Sequence, residues 1–301
     1  MADRPHLTLE QLRIFVAVAE HQHVTNAARA INLTQSTISA AISALEARFS
    51  VALFDRIGRR IALNSAGERF LEEARLVLAR ARDAENVLAD LAGLRRGQVS
   101  VAASQTVANY WLPKRLTSYR KHFPDIDLNV MIGNTEKAVR LVSSGAVELA
   151  VVEGVVEDPA LSVATVSDDE LVMIAPLDHP WSKQPSGKPT RLGESNWVAR
   201  ERGSGTREEF DRLLAAAGVA SPRIAFEFTS NEAVCSAVEA GAGAAIVPML
   251  VAANALSTGA VAKVEVPVFP RRYFLVTLHG RTMSNAAASV RDYLTGADPD
   301  R

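Results

Sequence analysis

The sequence predicts a mixed fold: a small α+β unit at the N-terminus, then a long helix, then a larger α/β unit. Three observations predict it. Apolar residues recur at helical spacing over residues 9–49, a heptad-like pattern covers residues 70–91, and strand-like and helix-like runs alternate from residue 99 onward. A chain of 301 residues exceeds the usual size of one hydrophobic core, so two or three domains are expected.

The composition is that of an ordinary globular protein, with 48% hydrophobic and 22% charged residues. The formal net charge of −1 hides an uneven distribution, since residues 1–65 hold seven arginines against five acidic residues, and no lysine precedes Lys114. Arginine is the better bidentate partner for phosphate and guanine, although a codon-usage bias toward arginine would give the same count. The basic start therefore allows a nucleic-acid partner without requiring one.

Two further features bear on location and chemistry. No apolar run reaches the ~18 residues that a membrane span needs, and no secretory signal is visible, so we expect a cytoplasmic protein. The single cysteine, Cys235, excludes a disulfide within the chain and a cysteine-based zinc site. Its apolar surroundings predict a buried, inert thiol.

Residues 8–49 have the pattern of three short helices. Thr8 and Gln11 have capping-box spacing at the first helix, Thr25 is expected to cap the second, and Ser36 to begin the third. Residues 51–63 then read as two extended segments, a wing. The pattern is that of a helix-turn-helix, whose second helix enters the DNA major groove. The apolar stripe of the third helix is Ile38, Ile42, Leu45 and Phe49.

A long helix is expected from about residue 64 to residue 91. Its apolar residues alternate by four and three positions, which is heptad spacing, and its opposite face is charged. Because an isolated helix with such a seam is poorly stable, we expect two chains to pair along it; the alternative is that the seam packs on its own domain. The seam residues are Phe70, Ala74, Val77, Ala81, Ala84, Leu88 and Leu91.

Beyond residue 97 the alternation of strands and helices indicates α/β sheets. Only residues 182–189 have the composition of a long loop, and no fixed-period repeat is visible. The expected strands are residues 99–103, 126–132, 149–153, 171–175, 197–199, 224–228, 245–247, 261–266 and 273–278. The expected helices are residues 112–119, 138–142, 207–217, 233–240 and 286–294.

Several of these segments resemble the N-terminal signature of LysR-type transcriptional regulators. They are Ala27-Ala28, Thr34-Gln35-Ser36-Thr37-Ile38-Ser39, Leu45-Glu46, Leu53-Phe54-Asp55-Arg56 and Asn64-Ser65-Ala66-Gly67. The rest of the chain agrees with that family in order and length, including Ser104-Gln105-Thr106 ahead of Pro113 and the glycine-rich run over residues 241–248. The resemblance thus covers nearly the whole chain.

The resemblance implies three parts: a winged helix-turn-helix domain over residues 1–65, a dimerising linker helix over 66–94, and an effector domain over 95–301. The effector domain would be similar to the two-lobed periplasmic binding proteins, with lobe I at about 95–165 and 268–301 and lobe II at about 166–267. The chain would cross between lobes near residues 164–167 and 267–270. Implied partners are double-stranded DNA with a partly palindromic operator, a small-molecule effector, further copies of the chain in a homotetramer, and RNA polymerase if the protein is an activator.

The resemblance also implies which residues contact DNA. Gln35, Ser36, Thr37 and Ser39 would lie at the groove-facing start of the recognition helix, where an amide can read adenine and hydroxyls can contact bases or phosphates. Taken singly, each hydroxyl fits an N-cap or a solvated position equally well. Since this chain has Ser36, Ala40 and Ser43 where the family commonly has proline and basic residues, phosphate contacts should fall more to arginines outside that helix. These are Arg29, Arg56, Arg59 and Arg60.

For the effector, three helix starts are expected to face the cleft between the lobes, at residues 104–106, 202–207 and 229–232. Free N–H groups and the partial positive charge of helix N-termini, completed by hydroxyls and an arginine, make an anion site; the alternative for residues 202–207 is a capped helix after a flexible loop. The effector would be a sulfur oxyanion, a phosphorylated metabolite or a carboxylate. The candidate residues are Ser104, Thr106, Asn134, Thr135, Ser204, Gly205, Thr206, Arg207 and Ser230, with Glu153 as a further cleft residue.

Other classes of protein are less consistent with the sequence. The run at residues 203–206 lacks the Gly-Lys-Ser/Thr of a P-loop, and Gly241-x-Gly243 follows a helical run rather than a strand, so neither predicts a nucleotide site. We expect no cofactor, no metal and no catalytic residue. A solute-binding protein and an enzyme on an α/β scaffold stay as alternatives, opposed respectively by the attached helix-turn-helix and by the scatter of titratable residues.

Overall fold

The computed structural model describes residues 6–57, 60–91, 97–183, 192–266 and 270–296. The chain divides near Gly93 into two compact units. Among the described residues, no helix is both long enough and apolar enough to span a bilayer.

The first unit begins with three helices and a two-stranded sheet. They are α1 (Leu9–His21), α2 (Val24–Ala30), α3 (Gln35–Phe49), β1 (Phe54–Ile57) and β2 (Arg60–Leu63), with the two strands antiparallel. The capping box of Thr8 and Gln11 is present, and the faces of the helices meet in one apolar core. The main core residues are Leu12, Phe15, Val18, Ala27, Ala28, Ile38, Ile42, Leu45 and Phe54.

Two helix starts differ from the sequence expectation. Helix α3 begins at Gln35, one residue early, because the side chain of Thr34 accepts a hydrogen bond from the Thr37 amide at 3.2 Å. Helix α2 begins at Val24, and Thr25 makes no cap; its hydroxyl instead donates to the Gln35 side chain at 3.2 Å. Both hydroxyls therefore organise the start of α3.

The wing is attached to the helices by two polar residues of the family signature. The carboxylate of Glu46 accepts the amides of Leu53 (2.7 Å) and Phe54 (3.2 Å). Asn64 accepts the Gly67 amide at 2.9 Å and so caps the helix that follows. A Cβ on Gly67 would lie 2.1 Å from the Leu53 carbonyl oxygen, so only glycine allows this close approach.

Helix α4 (Ser65–Leu91) divides the predicted seam into two halves. In the first half, Phe70 packs on Phe15 with ring centroids 4.7 Å apart and Ala74 is buried, so these residues belong to the core of their own domain. Val77, near the middle of the helix, is 45% exposed, and Leu88, in the second half, is 67% exposed. The alternative, packing on the helix's own domain, thus holds for Phe70 and Ala74, and pairing of two chains through the exposed residues stays a prediction; the side chain of Leu91 lies outside the described residues.

The second unit is built from nine strands and six helices in the described part of the chain. The strands are β3 (Gly97–Ser104), β4 (Ile126–Gly133), β5 (Leu149–Glu153), β6 (Leu161–Ala175), β7 (Asn196–Arg200), β8 (Arg223–Phe228), β9 (Ala245–Pro248), β10 (Ala262–Val264) and β11 (Pro270–Leu278). The helices are α5 (Leu112–His122), which follows a π-helical segment at Val107–Trp111, α6 (Thr135–Ser143), α7 (Gly205–Ala216), α8 (Asn231–Glu239), α9 (Met249–Ser257) and α10 (Asn285–Thr295). Helix α9 was not expected from the sequence, because its nearly all-apolar segment shows no helical period.

Two lobes share these elements. In lobe I, parallel strands β3, β4 and β5 lie beside β11 and the first part of β6, with α5 and α10 packed over one core and α6 over another. In lobe II, β9 and β10 pair with the last part of β6, and β7 lies parallel to β8. Helices α7, α8 and α9 cover the lobe II strands.

The long strands β6 and β11 connect the lobes. Strand β6 pairs with β11 as far as Glu170 and with β9 from Leu171 onward. The chain therefore crosses between the lobes a few residues later than the expected position at residues 164–167. The crossing lies later because β6 is one strand of 15 residues that continues through Asp168, Asp169 and Glu170. Of the second expected crossing, residues 267–269 lie outside the described residues.

Candidate DNA interface and effector cleft

The start of α3 presents a polar surface. Ile38 and Ile42 are buried in the core of the first unit, which turns the side chains of Gln35, Ser36 and Thr37 outward, where they are exposed. Ser39 and Arg29 are exposed as well.

Hydrogen bonds hold this surface in place. The Thr34 hydroxyl lies 2.9 Å from that of Ser36 and 2.8 Å from that of Thr37. The Gln35 side-chain oxygen accepts from Thr25 on α2. A groove-reading side chain that is already oriented loses less conformational entropy on binding.

The side chains of three arginines of the predicted interface are not among the described residues. Arg59 lies outside the described residues. Arg56 is in β1 and Arg60 in β2, opposite Ile61 and Ile57 in the ladder, but their side chains are not among those described. Their role stays a prediction.

In the second unit, the carboxyl ends of β3, β4 and β5 meet at one edge of the lobe I sheet, the usual position of a ligand site in parallel sheets. Glu153, the last residue of β5, is 2% exposed at this edge. Its carboxylate accepts hydrogen bonds from the Ser104 hydroxyl and, at 3.1 Å, from the Thr106 hydroxyl. Its carbonyl oxygen accepts from the Thr135 hydroxyl at 2.8 Å. Of the hydroxyls that the sequence assigned to an anion, those of Ser104 and Thr106 therefore donate to a carboxylate and that of Thr135 donates to a backbone carbonyl.

The start of α7 brings lobe II against this edge. Ser204 and Thr206 are buried, and the Gly205 amide donates to the Thr135 hydroxyl at 3.3 Å. A Cβ on Gly205 would lie 2.4 Å from the Glu153 carbonyl oxygen, so glycine is required for the two lobes to meet here. The structure thus brings together lobe I and lobe II residues that were predicted to share a site.

A buried cation on β11, Arg271, lies beside the α7 start. Its Nη1 donates to the Thr206 hydroxyl at 3.0 Å, and its Nε donates to Asp169 on β6 at 2.5 Å. Tyr273 donates to the same Asp169 at 3.1 Å, and burial together with this carboxylate raises the pKa of Tyr273, which keeps the phenol neutral. Sequence reasoning missed this group because its members come from two distant strands.

Arg207, which was expected to face the effector, has other partners. Its guanidinium donates to Asp211 (3.0 Å), Glu227 (2.8 Å) and the Arg200 carbonyl (2.9 Å). Burial lowers the pKa of Arg207, but the bonds to Glu227 and Asp211 outweigh it, so the net shift is upward and the charge is kept. An acid one turn along α7 and another on the adjacent strand compete for this guanidinium, so Arg207 ties α7 to β7 and β8.

Arg200, at the end of β7, was not singled out in the sequence. It is 3% exposed and donates through Nε and Nη2 to Glu201, at 2.8 and 3.0 Å. Its Nη1 is buried with no hydrogen-bond partner. Glu201 also accepts a bond from Asn134 of lobe I at 3.3 Å, which places this guanidinium next to the interlobe boundary.

The start of α8 makes the second contact between lobes. Ser230 caps α8 by accepting the Ala233 amide at 3.1 Å, and Asn231 donates to Thr106 at 3.0 Å. The Asn231 side-chain oxygen is buried without a partner. Both Nδ2 of Asn231 and the Thr106 hydroxyl thus belong to the chain of hydrogen bonds that ends at Glu153.

Glu232 extends this contact. It accepts bonds from Asn109 (3.2 Å) and Tyr110 (3.1 Å) of lobe I and from Ser230 (3.0 Å). Burial raises the pKa of Glu232, but these bonds and that of its own backbone outweigh it, and the net shift is downward. Burial, followed by the neighbouring Glu232 charge, raises the pKa of Tyr110 to about 12. Cys235 is buried on α8, and burial raises the pKa of its thiol to about 11, as expected for an inert cysteine.

The geometry defines a class of protein: a helix-turn-helix unit with an exposed recognition surface, joined through a long helix to a two-lobed domain with a buried polar cleft. Residues 9–68 match the model of the bacterial regulatory helix-turn-helix proteins of the lysR family, and residues 92–298 match that of the LysR substrate binding domain. The chain belongs to the LysR family and is a DNA-binding transcriptional regulator with an effector-binding domain, not an enzyme.

Similar proteins support the same conclusion. The chain is 32% identical to the "RuBisCO operon transcriptional regulator" of Allochromatium vinosum over 96% of both chains. Its effector domain resembles the Synechocystis PCC6803 CcmR regulatory domain solved in complex with 2-PG, with 25% identity and a TM-score of 0.61 over 68% of this chain and 99% of that one. Full-length CbnR, solved in complex with its target DNA, has the same fold at 23% identity, with a TM-score of 0.68 over 97% of this chain and 100% of that one.

Proposed function

We propose that this regulator senses a small anion that also carries hydrogen-bond donors, bound between the two lobes of the second unit. The observation that carries the proposal is the polar cluster where the lobes meet: Ser104, Thr106 and Thr135 from one side, Ser204 and Thr206 from the other, all buried. Burying so many polar groups is costly unless they are hydrogen-bonded, and unnecessary for packing alone.

The anionic end of the effector fits the lobe II side. The α7 N-terminus contributes a partial positive charge, and Arg200 contributes a buried Nη1 without a partner. Charge-assisted bonds from such a donor are about twice as strong as neutral ones. We assign the role first expected for Arg207 to Arg200, because Arg207 is bonded to two acids.

On the lobe I side, the ligand must supply hydrogen-bond donors. Glu153 is an acceptor on this side, and the unpartnered oxygen of Asn231, which comes from lobe II, lies within the same chain of hydrogen bonds. A metabolite that carries both a phosphate or carboxylate group and a hydroxyl group would satisfy both sides, whereas an oxyanion without protons would satisfy only one. A relative that regulates a RuBisCO operon and a neighbour that binds 2-PG favour a metabolite of carbon fixation over a sulfur oxyanion.

Calorimetric titration of phosphorylated and hydroxylated acids, sulfate and sulfite into the full chain tests this proposal. Arg200→Gln should weaken binding of the preferred anion by about tenfold or more, while Arg212→Gln, at a half-exposed arginine of the same lobe paired to Glu209, should not change it. Equal affinity in wild type and Arg200→Gln, or binding of neutral apolar compounds alone, would contradict the proposal.

We further propose how the protein uses DNA. Gln35, Ser36, Thr37 and Ser39 read bases, and Arg29 with the three wing arginines holds phosphates. The exposed half of α4 pairs two chains, and effector domains join pairs into a homotetramer that acts on cytoplasmic DNA. If the protein is an activator, it contacts RNA polymerase from that assembly.

A further inference from the structure

An acidic side chain crosses the boundary between the lobes at the start of α7. Glu208 belongs to lobe II, and its carboxylate lies against the lobe I backbone just after β5. A Cβ on Gly154 would lie 2.9 Å from Oε2 of Glu208 and 3.1 Å from the Cα of Gly205, and Gly154 has a φ of +96°. A glycine in the left-handed region therefore allows this carboxylate to reach lobe I.

The surroundings of Glu208 favour its protonated form. The side chain is half-buried, and burial, the largest cause, raises the pKa of Glu208. A hydrogen bond from the Val155 amide lowers this pKa, and the charge of Glu209 raises it. Arg212 lowers the pKa again, and the buried Glu153 of lobe I raises it. The net shift is upward from the ordinary value of 4.5.

Parting of the lobes would remove only some of these influences. Glu209, Arg212 and the positive N-terminal end of α7 belong to lobe II, so they stay beside Glu208 in any arrangement of the lobes. The Val155 amide, the Glu153 charge and the burial by lobe I act only while the lobes are in contact. Since burial is the largest of all the causes, Glu208 holds its proton more tightly with the lobes together than apart.

We propose that contact between the lobes is linked to protonation of Glu208, so that a falling pH favours the closed arrangement. A carboxyl group that binds its proton more tightly in one arrangement stabilises that arrangement as pH falls. The effect lies above pH 4.5, the ordinary value, because below it Glu208 is protonated in both arrangements. Glu201 and Glu232, which also make contacts between lobes, have lowered pKa values and titrate below this range. The protein would thus respond to pH through the lobes that we propose to bind the effector.

Hydrogen exchange of the effector-free full chain tests this proposal. Two backbone amides bridge the lobes: Glu136 donates to the Gly203 carbonyl at 3.0 Å, and Gly205 donates to the Thr135 hydroxyl at 3.3 Å. Their exchange rates, corrected for the intrinsic effect of pH, measure how often the lobes part. We expect both amides to be about fivefold or more better protected at about pH 5.5 than at about pH 8. The amide of Val101, within β3, is the internal reference and should not change in protection.

Two variants assign the effect to one carboxylate. Glu208→Gln cannot ionise, so both amides should be protected at either pH to the level of the wild type in acid. Glu157→Gln, at an exposed carboxylate in the segment after β5, should keep the pH dependence of the wild type. An unchanged pH dependence in Glu208→Gln would overturn the proposal.

The wild type alone also tests the proposal, even if Glu208→Gln folds poorly. Protection of both amides that does not change with pH in the wild type would overturn it. Because no effector is present, either failure would leave the proposed anion site standing.

Discussion

At the scale of single residues, polar side chains that we propose to contact DNA or the effector also take part in the hydrogen bonds that build the molecule. Thr34 and Thr25 are used to start α3 and to orient Gln35, which leaves the exposed Gln35 and Thr37 available for DNA. In the second unit, Ser104 and Thr106 are held by Glu153. In the proposed site, an effector would have to exchange these bonds rather than find free hydroxyls.

Replacing Gln35 or Thr37 with alanine should lower affinity for the cognate operator by about 1–3 kcal/mol, while binding to unrelated DNA changes little. The cap of α3 is Thr34, so these variants keep the helix start. Arg29→Ala and Arg59→Ala should instead weaken binding to all sequences and reduce the salt dependence of binding. Anisotropy titrations at several salt concentrations measure both effects. Parallel loss of specific and unspecific binding in the Gln35 and Thr37 variants would place the reading surface elsewhere.

Glu232→Gln should reduce the free energy of unfolding at neutral pH by about 1 kcal/mol, since the carboxylate accepts three side-chain bonds and is partly exposed. The pKa of Glu232 is lowered in the folded protein, so its contribution is present above the ordinary glutamate pKa and is lost as pH falls through the folded value. Thermal unfolding of both proteins across pH should therefore converge in acid. The exposed Glu265→Gln serves as control, and a gap that persists below about pH 3 would contradict this role.

At the scale of elements, α4 joins two kinds of packing in one helix. Its first half is part of the core of the first unit through Phe70 and Ala74, whereas Val77 near its middle and Val87 and Leu88 in its second half are exposed. A heptad pattern read from sequence does not distinguish these halves, because both need apolar residues at the same spacing.

Leu88→Asp should dissociate the paired chains. It should also weaken DNA binding, because two paired helix-turn-helix units bind two half-sites of the operator together. Burial of one leucine contributes about 1.5–3 kcal/mol, and the variant replaces it with a charge in both chains. Light scattering gives the molar mass, with Glu85→Gln on the same helix as the control. An unchanged mass in Leu88→Asp would exclude pairing through this half of the helix.

The elements also show what the sequence could and could not predict. Local signals located most helices and strands, and the start of α8 follows from its cap Ser230, whereas Ser204 precedes α7 without a side-chain cap bond. Contacts between distant segments carry no local signal: Arg271 with Asp169 on two crossing strands, and Arg207 with Glu227 on the adjacent strand, appear only in the fold. The position of the anion site stays a prediction, and because Arg207 is paired with Asp211 and Glu227, our proposal gives its role to Arg200.

At the scale of the whole molecule, the two lobes of the second unit meet at the starts of α7 and α8. The contact at α7 is so close that it requires a glycine, and the contact at α8 is made by hydrogen bonds. Gly205 approaches the Glu153 backbone, and Asn231 and Glu232 bond to the helix start after β3. These contacts can hold the lobes together only while the polar cluster is satisfied. An effector that satisfies it differently would shift the population of lobe arrangements, and by linkage DNA and effector would change each other's affinity by the same factor.

The measurement that tests the account most directly is DNA binding by the full chain, with and without the effector, in wild type and Gly205→Ala. The operator is taken from a random DNA pool by selection with wild type, and Gly193→Ala, where a Cβ would meet its nearest neighbour at an ordinary 3.6 Å, serves as the control. The account predicts that the effector changes operator affinity or DNA bending in wild type and Gly193→Ala but not in Gly205→Ala, whose effector-free DNA binding stays normal. An effector response that is undiminished in Gly205→Ala would contradict control through the interlobe cleft.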